Sequence, residues 1–282
     1  MRYEDNRRSI KYFVKQYIIR HADDLKGKTI IDFPAGNGIT TRILREHGAV
    51  PYPFDLFPEY FEIDGLTCRR ANIADGIPLD SKFADGLICQ EGIEHFSDQF
   101  KALQEFNRLL KPGGLLLITT PNYSNIRAKL SYLLSESERA PSMMPPNELD
   151  SIWMNRQDIT DDFYFGHVYL IGIQKLRALA RLSGFALKKV HYTRGKTTSV
   201  ILFPLLYPFI FLANLISYSK NMRKNKDYGR KTKQAVYREM FRLSINPAVL
   251  VTGNLMVEFI KETDCNEVGK HLKGRHKEFG VT

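Results

Sequence analysis

Thr29-Ile30-Ile31-Asp32-Phe33-Pro34-Ala35-Gly36-Asn37-Gly38-Ile39-Thr40-Thr41-Arg42-Ile43-Leu44 is the stretch on which the reading of the whole chain turns. Thr29, Ile30 and Ile31 form a β-branched run of the kind a buried parallel strand needs. Asp32 closes the run, Gly36 and Gly38 follow within one turn, and Ile39, Ile43 and Leu44 recur at helical spacing. The order is strand, glycine turn, helix. Glycines in such a turn let the backbone come close to a ligand, and the helix behind them presents its N-terminal N–H groups.

Working outward, a second strand from Val50 to Phe54 ends in Asp55, where nucleotide-binding folds place a carboxylate for ribose hydroxyls. A dinucleotide pattern would put a third glycine at Thr41, and a P-loop would carry a lysine; neither is present. The pattern Asp-x-x-x-Gly-x-Gly, here Asp32 to Gly38, resembles motif I of the class I S-adenosylmethionine-dependent methyltransferases, with Pro34 where that family often has another glycine. Thr67 to Ala71 reads as a third strand, followed directly by Asn72 and Ile73, and Gly86 to Cys89 as a fourth. A helix from about Ser97 to Leu110 is stopped by Lys111-Pro112-Gly113-Gly114, a turn that also resembles the family's, before a fifth strand from Leu115 to Thr120. Leu170 to Ser183 reads as a helix, Phe185 to Tyr192 as the sixth strand and Gly253 to Lys261 as the seventh. This alternation indicates an α/β, doubly wound sheet.

The resemblance covers roughly Thr29 to Lys261 and implies a seven-stranded Rossmann-like sheet whose final strand is antiparallel. It also implies that Asp32, Gly36, Gly38, Asp55, Asn72, Ile73 and Gln90 surround S-adenosyl-L-methionine. Between Asp5 and Asp24, Ile10, Phe13, Val14, Tyr17 and Ile18 share one helical face. A leading helix of this kind often covers the cofactor in the family, and core packing alone explains such a face equally well.

Directly after the fourth strand stands Gln90-Glu91-Gly92-Ile93-Glu94-His95. If this opens a helix, Glu91, Glu94 and His95 lie at i, i+3 and i+4 on one face, a donor set for a divalent ion such as Mg²⁺. The same Glu-x-x-Glu-His resembles that of ubiquinone-biosynthesis O-methyltransferases and of small-RNA 2′-O-methyltransferases. In the RNA enzymes a further histidine completes a metal site, and His167 stands where that ligand is expected. Without a metal, His95 or His167 is the candidate general base, because an imidazole titrates near working pH.

The 282 residues are read as a single domain, residues 1–282, carrying a proline-rich lid or substrate loop over residues 123–168. A second insertion covers residues 197–246. Thr197 to Ser219 holds no charge, and Val200 to Ile216 is nearly all apolar, interrupted by Pro204, Pro208 and Asn214. Lys220, Arg223, Lys224, Lys226, Arg230, Lys231 and Lys233 follow. The apolar run is short for a bilayer crossing, and its prolines are expected to break a spanning helix. It is expected either to cap the acceptor pocket or join two copies, or to contact a membrane surface peripherally, with the adjoining cations favouring the surface. Cys68, Cys89 and Cys265 are too far apart for a disulfide framework, and the charged N-terminus shows no signal peptide, which together point to the cytoplasm. The net charge of +10 favours an anionic partner. The leading functional expectation is O-methylation of a lipid-linked or small-molecule acceptor, a ring hydroxyl or a sugar. The alternatives are an RNA 2′-O-methyltransferase and a non-catalytic methyltransferase-like binding module.

Overall fold

Along the central strands, successive residues turn to opposite faces and both faces are apolar, the pattern of a sheet covered on two sides. Ile30, Ile88, Leu117 and Met256 join one buried cluster, and their neighbours Ile31, Leu87, Leu116 and Val257 join another. The computed structural model describes residues 2–137, 143–147, 149, 152–154, 163–224 and 228–273. Its central strands are β1 (Thr29–Asp32), β2 (Val50–Asp55), β3 (Arg69–Arg70), β4 (Ala84–Gln90) and β5 (Leu110–Pro121). The sheet is completed by β8 (Phe185–Val190) and β9 (Asn254–Lys261) in the order β3-β2-β1-β4-β5-β9-β8. β9 runs antiparallel to both β5 and β8, and the other pairs are parallel. This is the sheet that the resemblance implied.

Helices α1 (Ile10–Arg20), α2 (Ala22–Leu25) and α3 (Ile39–Glu46) lie on the first face, with Val14, Tyr17, Ile18, Ile43 and Leu44 in its cluster. Helices α4 (Gln99–Leu109) and α6 (Ile173–Leu182) cover the second through Leu103, Phe106, Leu176 and Ala180. The leading helix is shorter than its periodicity predicted, because Ser9 caps it by accepting from the Lys11 N–H and His21 ends it. Lys111-Pro-Gly-Gly does not separate α4 from its strand. It lies inside β5 as an irregularity, where pairing jumps from Ala84 with Leu110 to Gly86 with Leu115.

Two further expectations are corrected. The stretch predicted to be irregular after β5 contains α5 (Ile126–Ser135), started by the Asn125 side chain accepting from the Ala128 N–H. A small hairpin of β6 (Ile152–Met154) and β7 (Phe163–Phe165) follows. Much of the expected lid, including Pro141 and residues 155–162, lies outside the described residues, as does the Trp153 side chain. The second correction concerns the apolar insertion. It is one helix, α7 (Thr197–Arg223), which runs straight through Pro204 and Pro208. Both prolines sit on its exposed side. The carbonyls of Val200 and Pro204, four residues before each proline, lose their N–H donors on that side, where other partners can replace them. Helices α8 (Arg230–Ser244), α9 (Pro247–Val251) and α10 (Cys265–Lys273) complete the described chain.

Candidate active site

The glycine turn opens onto a cavity of about 820 Å³. Its wall combines the ends of β1, β2 and β4 with α1: Gly36, Asp55, Asn72, Ile73, Gln90 and His95 all line it, as do Lys11, Phe57 and Tyr60. Asp55 is the hinge of this wall. Its Oδ2 accepts from the Gly36 N–H at 2.8 Å and its Oδ1 from the Phe57 N–H at 2.8 Å. Each oxygen therefore keeps a lone pair for one further donor. Gln90 is fixed by the Thr40 hydroxyl, which donates to its Oε1 at 2.7 Å, and Asn72 holds its own turn by accepting from the Ala74 N–H.

Two residues expected around the cofactor stand behind the wall instead. Asp32 is buried at 1% exposure, accepting from the Thr41 hydroxyl at 2.5 Å, and burial with the nearby Asp55 charge pushes its pKa up to about 7. It braces the turn from below. Gly38, at φ 85°, caps α3, and a Cβ there would lie 2.4 Å from Ile63 Cγ1. Its role is close packing beneath the loop of residues 61–63.

The Glu-x-x-Glu-His segment does not open a helix of one face. Ile93–His95 forms a single 3₁₀ turn, and Glu91 sits before it at φ 49°, in the left-handed region. Glu91 is thereby turned toward the sheet, where its Oε1 accepts from the Thr119 hydroxyl and its Oε2 from Asn254 Nδ2, each at 3.1 Å. Glu94 points elsewhere, is fully buried, and neither of its carboxylate oxygens has a hydrogen-bond partner among the described residues. Burial raises the pKa of both carboxyls, and the charge of Glu91 raises Glu94 further. Ligand atoms of Glu94, His95 and His167 lie within 4.8 Å of one another, and Glu91 is not in that group. The two imidazoles are 5.2 Å apart between ring centres.

What brings His167 to His95 is Gln99, a residue that sequence reasoning passed over. From the first turn of α4 its Nε2 donates to Ile93 O at 3.0 Å and to Tyr169 O at 2.6 Å, tying the 3₁₀ turn to the segment that carries His167. Gly92 was also missed. A Cβ there would fall 2.3 Å from Pro34 Cδ, so the glycine turn and the histidine turn touch at this point. Lys11 reaches the cavity from α1 and donates to Asn37 Oδ1 at 3.2 Å. Its only sequence signal was the Ser9 cap that starts α1 two residues earlier.

The methyltransferase domain family matches residues 3–190, the part of the chain that builds the cavity. This chain belongs to that family. It carries a methyltransferase domain, and its fold is that of a solved S-adenosylmethionine-dependent methyltransferase. The ubiquinone biosynthesis O-methyltransferase of Vibrio vulnificus (strain YJ016) is 27% identical over 143 residues, covering 48% of this chain and 60% of that protein. The protein of the same name from Actinobacillus pleuropneumoniae serotype 7 (strain AP76) is 32% identical over 120 residues, covering 38% and 51%. The methyltransferase thus matches between about half and three fifths of the length of these relatives. A solved S-adenosylmethionine-dependent methyltransferase from Archaeoglobus fulgidus superposes with a TM-score of 0.51 at 12% identity, covering 90% of this chain and 96% of that one. At that identity the likeness concerns the fold alone.

The residues present suit the family's methyl donor. A carboxylate at the end of β2 is held by two backbone N–H groups, Ile73 offers an apolar surface and Asn72 a polar one, and all three share one cavity.

Proposed function

We propose that this methyltransferase moves a methyl group from S-adenosyl-L-methionine to a hydroxyl of a small-molecule or lipid-linked acceptor, a ring hydroxyl or a sugar. The observation that carries the reading is His95, which lines the same cavity as Gly36 and Asp55 and stands 5.2 Å from His167. When bound, S-adenosylmethionine supplies a methyl group already activated on a sulfonium. The protein then has two tasks, to align the acceptor and to receive its proton. Asp55, Asn72 and Ile73 hold the nucleoside end, and His95, oriented beside His167, takes the hydroxyl proton as the O–CH₃ bond forms and the S–CH₃ bond breaks.

Glu94, His95 and His167 also suit a divalent ion, and without Glu91 their two imidazoles fit a transition ion better than Mg²⁺, which prefers oxygen donors. Two imidazoles and a buried carboxylate, the latter without a hydrogen-bond partner among the described residues, form a recognised mixed donor set, and their ligand atoms fall within 4.8 Å of one another. When bound, such an ion lowers the pKa of a coordinated hydroxyl and orients it. Glu91 takes no part, being held by Thr119 and Asn254. An RNA acceptor has less support. Among the described residues that line the cavity, Lys11 and Lys101 are the only lysines or arginines, too few for a phosphate-tracking groove.

The test is twofold. Calorimetry should show S-adenosylmethionine binding that weakens about tenfold or more in Asp55→Ala, with the loss of a charged hydrogen-bonding partner. Methyl transfer assayed on fractionated quinone-like phenols, lipid-linked sugars and RNA should give label in a hydroxyl of the first two, lost in His95→Ala. Activity that survives chelators would remove the ion and leave the imidazole as base. Label found only in RNA would overturn the acceptor.

A further inference from the structure

The helix α7 is apolar over most of its length and is nevertheless placed outside the core. Its apolar window is only 6% buried. Its residues divide by helical spacing into two stripes. Leu202, Phe203, Leu206, Tyr207 and Ile210 turn inward onto Ile126, Leu250 and Val251. Ile201, Leu205, Phe209, Leu212 and Ile216, spaced by four, four, three and four, turn outward, and the first three are 68%, 64% and 67% exposed. A continuous exposed stripe of this size marks a contact surface.

Cations border it. No acidic residue occurs from Thr197 to Lys226. Lys220, Arg223 and Lys224 are exposed at the end of α7, where with Leu215, Ile216 and Ser219 they line a groove. α8 returns alongside α7, with Phe241 meeting Phe211 and Tyr218 and with Lys233 Nζ donating to the carbonyls of Met222 and Lys224. Arg230, Lys231, Arg238 and Arg242 are exposed on it. The pair is held firmly on the body. Arg177 donates through Nε and Nη2 to Glu239, each at 3.1 Å, and Gln174 donates to Met240 O and Ser244 Oγ. At the other end Ser199 Oγ donates to Asn125 Oδ1 and accepts from the Arg127 N–H.

The geometry points to α7 and α8 as a docking surface for an anionic lipid bilayer, with the outward stripe of α7 in the acyl boundary and the flanking cations at the phosphates. A bilayer is the one partner that offers hydrocarbon and negative charge side by side over such a length. A span is ruled out by topology. β8 and β9 on either side of the hairpin pair within one sheet, so the chain would have to cross twice, and the return helix α8 carries the cations. The surface also stands at the catalytic edge, since Asn254 begins β9 opposite Pro121, at the carboxyl end of β5, and donates to Glu91 of the cavity wall. The inference bears on a lipid-linked acceptor but rests on none of the methyl-transfer chemistry.

Flotation of the full chain with phosphatidylcholine vesicles, with and without phosphatidylglycerol, tests it. Binding is expected only with phosphatidylglycerol, is expected to weaken as salt rises, and should fall about tenfold or more in Phe209→Ser/Leu212→Ser and in Lys220→Gln/Arg223→Gln/Lys224→Gln. These side chains are exposed, and circular dichroism with S-adenosylmethionine calorimetry on each variant separates lost docking from lost fold. No flotation of the wild type would overturn the proposal. So would equal flotation on neutral vesicles, and so would a stable dimer in solution that the Phe209→Ser/Leu212→Ser change dissolves.

Discussion

Asp32 shows how one residue can be named correctly and placed wrongly. Its position before the glycines suggested a hand on the cofactor, yet its side chain is buried beneath the turn, with Oδ1 unpartnered among the described residues and Oδ2 on the Thr41 hydroxyl. Burial and the Asp55 charge hold its folded pKa at about 7, above its ordinary 3.8. The sign of the linkage follows from that. The proton is favoured in the folded state, so the stability it contributes is whole below the ordinary value and drains away as pH climbs to about 7. The slope of that loss approaches about 1.4 kcal/mol per pH unit. Asp32→Asn removes it. Urea unfolding of the two proteins between about pH 4 and 7 should show their stability difference moving in favour of Asn as pH rises. A constant difference would mean that Asp32 titrates as an ordinary carboxyl.

At the scale of elements, the site depends on how one short 3₁₀ turn is held. Ile93–His95 is too short to have a helical face of its own, so its side chains point where neighbouring elements send them. Thr119 on β5 and Asn254 on β9 take Glu91, and Gln99 on α4 carries the turn to Tyr169 O. Gln99 touches no reacting atom and is a positioning residue. Gln99→Leu keeps its volume and removes both hydrogen bonds, leaving Tyr169 O and Ile93 O without that donor. The expected outcome is a fall of about tenfold or more in turnover, as the imidazoles lose their register, with the affinity for S-adenosylmethionine little changed. Single-turnover kinetics beside calorimetry would separate the two, and equal losses in both would mean that Gln99 merely supports the fold.

The whole molecule divides into a sheet that makes the site and a hairpin attached to it. Among the described residues neither main buried cluster draws on α7, whose inward stripe packs on Ile126, Leu250 and Val251. Leu243 of α8 and Val249 of α9 do belong to the main cluster, so the end of the insertion is structural. Replacing residues 201–236 by a flexible Gly/Ser linker should therefore leave the sheet folded and S-adenosylmethionine affinity within about threefold, since the cavity wall is untouched. The uncovered apolar patch should lower the melting temperature by several degrees, on a scale of about 2–4 °C per kcal/mol for a chain of this size. A protein that no longer melts cooperatively would show that α7 is part of the fold's own stability.

Much of this protein was legible in the order of its residues, and the reason is that those signals are local. Alternating strands and helices, β-branched runs and the glycine turn depend on neighbours in sequence, and they indicated a doubly wound sheet; the resemblance they carried added the strand order and implied Gly36, Asp55, Asn72, Ile73 and Gln90, which line one cavity. Tertiary structure decided what depends on distant partners. Glu91 left the predicted metal face because Asn254, 163 residues away, claimed its carboxylate. His167 reached His95 through a hydrogen bond from Gln99 to a backbone carbonyl 70 residues on. The prolines failed to break α7 because packing put both on its exposed side, where the donor-less carbonyls are not sealed in the core. Local propensity carries no record of such pairings, which exist only once the sheet has brought its edges together.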